Sequence, residues 1–177
     1  MSYRLRPAEP KDRPILSAWL KDPVVREAVE DETVSTARLA ETLRHFESSD
    51  PFRNGSLCLV MERDARPVGM IHFAWINWVS RNAEVIVFIG PRELRGTMAG
   101  FKCLSLIGDV AFRVLNLHKI YAFVYGSNEG SLGVLRRLLK TEARLKRYQK
   151  NGRRYEDLFA LGMLASEYER ILERIKR

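Results

Sequence analysis

The feature that most constrains the fold of this chain is a strand pattern that runs into a glycine-bearing turn and then into a helix pattern. Ala83–Ile89 is an apolar strand pattern, Pro91 follows it, and Arg95–Gly100 opens an amphipathic segment that reaches Leu117. The first amides of a helix have no partner within the helix, and the helix dipole places partial positive charge behind them. The turn therefore predicts a cradle for an anion, with a plain helix start as the alternative.

The order of elements after this turn narrows the choice of fold. A second apolar strand pattern, Lys119–Tyr125, is followed by Asn128 and Ser131 at the start of another helix pattern. Asn151-Gly152 then separates the strand patterns 143–150 and 153–161, as is typical of a tight hairpin. This order resembles the acyl-CoA-binding half of the GCN5-related N-acetyltransferases (GNAT). Within that family it resembles most the branch that includes the ribosomal-protein N-terminal acetyltransferases.

The resemblance covers nearly the whole chain and implies an α/β (α+β) fold. For this sequence it implies a mixed, mostly antiparallel central sheet of six to seven strands with a splayed parallel pair, flanked by four to five helices. Helix patterns at 35–47 and 166–176, and a helix that Asp12 would cap, agree with that expectation. At 177 residues, we expect one domain that spans residues 1–177.

The charge of the chain favours an anionic partner. The net charge is +8, and nine Lys or Arg residues lie between Arg136 and Arg154. Coenzyme A, an anionic acceptor such as a nucleotide-linked sugar, or an RNA surface would each suit such a patch. A solvated surface without a partner remains open as the alternative.

Several other classes of site are not indicated by the sequence. No apolar run approaches the roughly 20 residues of a membrane span, and no signal-peptide core is present, so we expect no membrane association and a cytoplasmic location. Cys58 and Cys103 are expected to be buried, inert thiols rather than a disulfide. His45, His72 and His118 are far apart in the sequence and lack ligands at metal-binding spacing, so we expect no metal.

In the GNAT family the cradle reads Arg/Gln-x-x-Gly-x-Gly/Ala, and its amides hold the pyrophosphate of acetyl-CoA. Arg95 and Gly100 match, whereas Met98 stands at the middle glycine and would cost on the order of 1–2 kcal/mol if that position needed a positive φ. By resemblance, Asn128 binds the pantetheine arm; a turn residue and a helix cap are the plain alternatives for Asn128 and Ser131. The resemblance assigns acetyl-CoA, as a co-substrate, to these residues: Phe88, Ile89, Arg95, Gly96, Thr97, Met98, Ala99, Gly100, Asn128 and Ser131.

The catalytic expectation centres on Glu84, an acid within an apolar strand pattern. A carboxylate in such a strand is costly unless it is paired or solvated, so a structural salt bridge is the plain alternative. Its family counterpart is a proposed general base that removes a proton from the attacking amine. Ser131 is the candidate to assist departure of the sulfur, because Leu135 stands where many members carry a tyrosine acid.

Acceptor specificity in this family comes from the first two helices and from strand connections, where this chain carries carboxylates and aromatic rings. Carboxylates attract a protonated amine, and aromatic faces pack on rings, sugars or peptide side chains. A solvated helix end and ordinary core tryptophans are the plain alternatives. The expected substrate-binding residues are Glu27, Glu30, Asp31, Trp75, Asn77 and Trp78.

These observations favour an acetyl-CoA-dependent N-acetyltransferase that works by direct transfer within a ternary complex. Its acceptor would be a protein N-terminus or a small amine such as a nucleotide-linked amino sugar. The alternatives are a catalytically silent acyl-CoA-binding module and a nucleic-acid-binding protein that uses residues 136–154. A homodimer is compatible with the sequence, which does not specify the oligomeric state.

Overall fold

The computed structural model describes residues 2–23, 25–26, 39–95, 97–151 and 154–175. Within these ranges seven strands and five α-helices have defined bounds, together with short 3-10 helices at Pro10–Asp12 and Arg92–Leu94 and a π-helix at Asp109–Val114. The strands are β1 (Tyr3–Pro7), β2 (Leu57–Arg63), β3 (Arg66–Asn77), β4 (Asn82–Ile89), β5 (Lys119–Tyr125), β6 (Lys140–Asn151) and β7 (Arg154–Leu164). The helices are α1 (Arg13–Leu20), α2 (Leu39–Glu47), α3 (Met98–Gly108), α4 (Glu129–Leu135) and α5 (Ala165–Ile175).

The strands belong to one sheet with the order β1-β2-β3-β4-β5-β7-β6. The β4–β5 pair is parallel, whereas β1–β2, β2–β3, β5–β7 and β6–β7 are antiparallel. The predicted mixed, mostly antiparallel sheet with a parallel pair is confirmed. The hairpin is confirmed too, since Asn151 pairs with Arg154. The helix pattern at 35–47 is present as α2 from Leu39 onwards, and its first residues lie outside the described residues.

Two compact units make up the chain. One consists of Met1–Ile76 and Val85–Ile107, and the other of Asn77–Glu84 and Gly108–Arg177. That the whole chain is a single domain remains a prediction.

In the first unit, α1 and α2 bury the apolar faces that their sequence periodicity predicted. Leu16 and Leu20 of α1 lie in one core with Phe46 of α2, and each is at most 1% exposed. Val60 of β2 and Met70 of β3 complete this core from the sheet. Each helix therefore packs on the strands through a face that has apolar residues every three to four positions.

Arg6 of β1 binds two buried carboxylates in the first unit. Its Nη1 and Nη2 donate to Asp12 at 2.7 Å each, and its Nε donates to Glu62 at 2.7 Å. These hydrogen bonds hold the pKa of both carboxyls below the ordinary range. From an exposed position Arg4 donates to the same Glu62 at 2.6 Å.

Asp12 precedes α1 as predicted, but its side chain does not cap that helix. One carboxylate oxygen accepts a hydrogen bond from the amide of Glu9 at 2.9 Å, and both oxygens bind Arg6. The expected cap was wrong because a guanidinium from a neighbouring strand competes for the same oxygens, and a charge-assisted bidentate pair is the stronger interaction.

Gly90, directly after β4, leaves room for the indole ring of Trp19. A Cβ atom on Gly90 would lie 2.0 Å from Cε2 of Trp19, which itself packs edge-on against Phe88 with ring centroids 6.1 Å apart. Gly90→Ala therefore forces this core to rearrange, and we expect it to lower the free energy of unfolding by about 1–3 kcal/mol. Urea denaturation followed by tryptophan fluorescence measures this loss.

Gly133→Ala is the matched control for that substitution. Gly133 lies within α4, and a Cβ atom there would meet nothing within 4 Å beyond its chain neighbours and the backbone of its own helix. Since alanine favours a helix over glycine by about 1 kcal/mol, this variant should be as stable as the parent or more stable. Equal losses in the two variants would contradict the steric explanation.

Both cysteines are buried in the first unit, as predicted. Burial raises the pKa of each thiol, Cys58 and Cys103, to about 12. Because the thiolate is the reactive form, neither cysteine is a nucleophile near neutral pH.

His45 and His72 are distant in the sequence but lie together in the structure. Their ring centroids are 5.5 Å apart, and the hydroxyl of Ser56 lies 3.2 Å from Nε2 of His45 and 2.9 Å from Nε2 of His72. Burial lowers the pKa of His72 to about 3, so its ring is neutral at physiological pH. The sequence did not reveal this pair because α2 and β3 meet only in the folded chain. Among the described residues no group of three or more His, Cys, Asp or Glu side chains could hold a metal ion.

In the second unit, β5 is buried on one face only. Ile120, Ala122 and Val124 are buried, whereas Phe123 is 44% exposed and Tyr121 is half-buried. The sequence of this strand is apolar on both faces and does not reveal this difference. An aromatic side chain counts as apolar in a sequence pattern, but its size also lets it form a partly exposed surface.

The basic residues near the hairpin lie on an edge of the sheet. β6 is the outermost strand, and every residue from Lys140 to Lys150 is exposed. Arg144 binds Asp157 of β7, and the guanidinium of Arg136 lies 4.7 Å from the ring centre of Phe159. Most of this charge therefore faces solvent.

The described part of the chain contains no helix that is both long enough and apolar enough to cross a membrane.

Candidate functional site

The pairing between the parallel strands β4 and β5 ends at Glu84, the acid that the sequence indicated as the candidate base. Pairing between β4 and β5 joins Asn82 to Lys119, Ala83 to Ile120, and Glu84 to Tyr121, which is the last of these rungs. Paired residues on neighbouring strands point to the same side of a sheet, so Glu84 and Tyr121 share a face. Glu84 is half-buried. All of these residues belong to the second unit.

Aromatic residues continue this face along β5. Since side chains alternate along a strand, Tyr121, Phe123 and Tyr125 lie on one side. The rings of Tyr121 and Phe123 meet edge-on, with centroids 5.8 Å apart and planes at 73°. The result is a carboxylate beside a pair of aromatic rings, one of which is partly exposed to solvent.

Burial and the negative charge of Glu84 both affect the pKa of Tyr121. The pKa of the Tyr121 hydroxyl is raised, first by burial and then by the negative charge of Glu84. The phenol is therefore neutral at physiological pH and leaves the negative charge on the carboxylate.

A second carboxylate lies on the other side of Tyr121. Tyr121 pairs with Gly162 of β7, and a Cβ atom on Gly162 would lie 2.5 Å from Oε1 of Glu142. The side chain of Glu142 thus occupies the space over this glycine. Lys119 donates to Glu142 at 2.6 Å, so this carboxylate is already paired with a cation.

Asn128 and Ser131 meet at the start of α4. The side-chain oxygen of Asn128 accepts a hydrogen bond from the amide of Ser131 at 3.1 Å, so Asn128 is the N-cap of this helix. The plain interpretation that made Ser131 the cap was wrong, because Ser131 lies within the first turn and supplies the amide instead. A role of Asn128 and Ser131 towards acetyl-CoA remains a prediction. Leu135, at the position of the missing tyrosine, is the last residue of the helix.

In the first unit, Arg95 holds the turn after β4 together. Its Nε donates to the carbonyl of Ile89 at 2.9 Å, and its Nη2 donates to that of Gly90 at 2.6 Å and to Asp22 at 3.2 Å. The guanidinium therefore fixes the path of the chain from strand to helix. That the amide of Arg95 holds a phosphate is not favoured, since this amide already donates to Arg92 at 3.1 Å.

The remaining cradle residues lie at the start of α3. Thr97 closes the turn, because both its hydroxyl and its amide donate to the carbonyl of Leu94. The helix begins at Met98, whose backbone is right-handed helical, so the strain considered for a positive φ does not arise. Ala99 and Gly100 follow in the first turn, and Gly96 lies outside the described residues.

The two residues before the turn differ in their surroundings. Phe88 is 4% exposed and packs in the core against Trp19, so its side chain serves the fold. Ile89 is half-buried. Assignment of either residue to acetyl-CoA remains a prediction.

The predicted acceptor residues are only partly within the described structure. Trp75 is 59% exposed and has a φ of 54°, a backbone conformation that a bulky residue rarely adopts. Asn77 accepts a hydrogen bond from the amide of Ser80 at 2.8 Å, and Trp78 is 37% exposed. The remaining three predicted residues lie outside the described residues: Glu27, Glu30 and Asp31.

Sequence reasoning missed Tyr121 and Phe123 as candidate site residues. The available signal was their alternation with smaller apolar residues, Ile120, Ala122 and Val124. Alternating large aromatic and small aliphatic side chains on a strand beside a candidate base would have marked one face as different from the other.

Comparisons with a family model, with a curated protein and with a solved structure all identify acetyltransferases as similar to this chain. The model of the family described as "Acetyltransferase (GNAT) domain" matches residues 3–138. Spermidine N(1)-acetyltransferase of Escherichia coli K12 is 28% identical over 147 residues, which cover 77% of this chain and 72% of that protein. A solved chimera of the spermidine N-acetyltransferase SpeG from Vibrio cholerae and hSSAT has a TM-score of 0.80 at 25% identity and covers 96% of this chain and 99% of that chain.

The fold is also that of the Vibrio cholerae spermidine N-acetyltransferase solved in complex with CoA and spermine. That structure has a TM-score of 0.80 at 23% identity and covers 94% of this chain and 98% of that one. None of these three relatives is a ribosomal-protein N-terminal acetyltransferase, the branch that the sequence pattern indicated.

Proposed function

Because this chain belongs to the acetyltransferase (GNAT) domain family, we propose that it acetylates a primary amine of a polyamine of the spermidine type. The chain is an acetyl-CoA-dependent N-acetyltransferase. A polyamine is a small amine, which was one of the two acceptor classes that the sequence favoured; it takes the place of the protein N-terminus and of the nucleotide-linked amino sugar given as an example. It is supported by relatives named spermidine acetyltransferases, one of which aligns with 77% of this chain.

The observation that carries the proposal is the position of Glu84 beside aromatic rings on the last rung of the parallel pair. A polyamine consists of positively charged amines joined by short methylene chains. A carboxylate attracts such a charge, and aromatic faces bind both ammonium groups and methylenes. Lys119, a cation on this face, is already paired with Glu142, so the described residues favour a cationic acceptor over an anionic one.

Glu84 is assigned the role of base. An alkylamine with a pKa of about 10.4 must lose its proton before it attacks, which costs roughly 4–5 kcal/mol at neutral pH. Glu84 accepts that proton, directly or through water, and the nitrogen attacks the thioester carbonyl. The C–N bond forms, the C–S bond breaks, and the sulfur leaves as a thiolate that takes up the second proton released by the nitrogen. Ser131, in the first turn of α4, is the candidate to assist that departure.

The start of α3 is assigned to the pyrophosphate of acetyl-CoA. Among the described residues, the amides of Leu94, Arg95 and Thr97 donate within the turn, so the first turn of the helix, Met98–Gly100, is proposed as the source of donors. The dipole of this 11-residue helix adds partial positive charge at the same end. A side chain at Met98 does not remove its amide, so the missing glycine is compatible with this role.

An acceptor panel tests the proposed function. Purified protein is incubated with acetyl-CoA and spermidine, spermine, a peptide with a free N-terminus or a nucleotide-linked amino sugar. Release of the CoA thiol gives the rate, and mass spectrometry identifies the acetylated product. We expect turnover with spermidine or spermine and little with the others. Turnover confined to the peptide or the sugar would overturn the polyamine assignment.

The same experiment separates the two other functions that the sequence left open, neither of which the comparisons support. A silent module would bind acetyl-CoA in calorimetry but release no thiol with any amine. A nucleic-acid-binding protein would bind RNA with an affinity that falls steeply as salt rises, independently of acetyl-CoA.

A further inference from the structure

We propose that Tyr121 and Phe123 form the wall that binds the alkyl-ammonium chain of the acceptor beside Glu84. This inference rests on the proposed function and adds specificity-determining residues to it. Neither side chain belongs to the residues that the sequence assigned to the acceptor.

The register of the strands places this wall. Glu84 and Tyr121 are paired across the last rung of the parallel pair, and Phe123 is the next residue on the same face of β5. Side chains two positions apart on a strand are close enough for an extended ligand to contact both while one end reaches the carboxylate. A chain of methylenes that runs along β5 would therefore bring its terminal nitrogen to Glu84.

Exposure singles out Phe123 from the rest of β5. Phe123 is 44% exposed although its strand lies inside the sheet, between β4 and β7. Its ring contacts Tyr121 edge-on, which leaves ring surface for another partner. A large aromatic side chain in an interior strand ordinarily contributes to the core, so its exposure here favours a binding role.

The charges around the rings favour a cation. Glu84 acts on Tyr121 from β4, and Glu142 lies over Gly162 on the β7 side. The nearby cation, Lys119, is bound to Glu142. Because the phenol of Tyr121 stays neutral, it adds a polar edge and a negative ring face without competing for the proton that Glu84 removes.

Ring removal and ring retention give different expected results. Phe123→Leu and Tyr121→Leu each keep an apolar side chain but remove the aromatic face. We expect each to raise KM for spermidine about tenfold, with kcat changed less than about threefold, because cation–π and methylene contacts contribute mainly to binding. Tyr121→Phe retains the ring, and its KM should stay within about twofold of the parent.

A short amine shows whether the loss concerns the alkyl chain. Methylamine reaches Glu84 with its nitrogen but has neither the methylene chain nor the second ammonium, so its KM should change much less in the leucine variants than that of spermidine. Tyr148→Leu removes an exposed ring on β6, outside this face, and is the matched control. Equal KM changes for spermidine and methylamine, or an unchanged KM for spermidine in both leucine variants, would overturn the inference.

Failure of this inference is distinguishable from failure of the proposed function. If the parent protein acetylates spermidine and the leucine variants retain its KM, only the wall is wrong. If the parent acetylates no polyamine, the acceptor class and the wall are both wrong. Thermal unfolding and the KM for acetyl-CoA, measured for every variant, identify a substitution that has merely damaged the fold, and Tyr121→Phe then still tests whether the ring is sufficient.

Discussion

Replacing Glu84 by glutamine is expected to lower kcat/KM for spermidine by about 100- to 10,000-fold near neutral pH. Glutamine keeps the size of the side chain and its place on the last rung of the β4–β5 pair, but it cannot accept the proton of the amine. Steady-state release of the CoA thiol measures the loss. Affinity for acetyl-CoA, measured by calorimetry, should be unchanged.

The pH dependence separates a base from a structural carboxylate. As pH rises from about 7 to about 9, the neutral fraction of an amine with a pKa near 10.4 increases about tenfold per pH unit, so less help from a base is needed. The deficit of Glu84→Gln should therefore narrow over this range. Glu169→Gln, at an exposed position of helix α5, is the control and should behave like the parent. A Glu84→Gln variant with parental turnover across neutral pH would remove the base assignment.

Replacing Arg6 by methionine is expected to lower the free energy of unfolding by about 3–5 kcal/mol, because two buried carboxylates lose their buried cationic partner. Asp12 is 2% exposed and Glu62 is 4% exposed, and Arg6 hydrogen-bonds to both. Methionine occupies a similar volume but supplies neither charge nor donors. Urea denaturation at pH 7 gives the difference in stability.

Arg4 offers a matched comparison on the same carboxylate. Its side chain also donates to Glu62, but it is 66% exposed. Because water screens such a pair, Arg4→Met should cost at most about 1 kcal/mol. If Arg4→Met and Arg6→Met were equally destabilising, burial of the Arg6 network would not be the cause.

The stability of the protein at acidic pH gives a second test of the Arg6 network. The folded-state pKa values of Asp12 and Glu62 lie below their ordinary values, so their contribution to stability is present above pH 4 or so and is lost as pH falls through the folded-state values. Without Arg6 the largest cause of both lowered pKa values is removed, and stability should change less steeply in this acidic range.

The elements of the fold could be predicted from the sequence because each one leaves a local pattern. Alternation marked β4, Asn151-Gly152 marked the β6–β7 hairpin, and a glycine-bearing turn marked the start of α3. The partners of the charged side chains could not be predicted in this way. Asp12 binds Arg6, and Arg95 binds backbone carbonyls, because those groups become neighbours only when strands and turns assemble.

The candidate site likewise contains residues that a local pattern could predict and residues that it could not. Glu84 was identified because an acid in an apolar strand is unusual, and Asn128 because it precedes a helix. Tyr121 and Phe123 were not identified, since a sequence pattern shows that a strand is apolar but not which of its faces another element covers. The acceptor class came from relatives, because the residues expected to bind it share no local signature.

The exposed strand β6 carries a consequence for how copies of this protein behave in concentrated solution. An outermost strand offers unpaired backbone amides and carbonyls to any other strand, which makes long edges prone to aggregation. Along β6 the cationic side chains include Lys140, Arg144, Lys146, Arg147 and Lys150. Two such edges repel each other when they approach within the Debye length, about 8 Å at physiological salt. The positive charge of this hairpin thus protects the sheet from adding a strand of a neighbouring molecule.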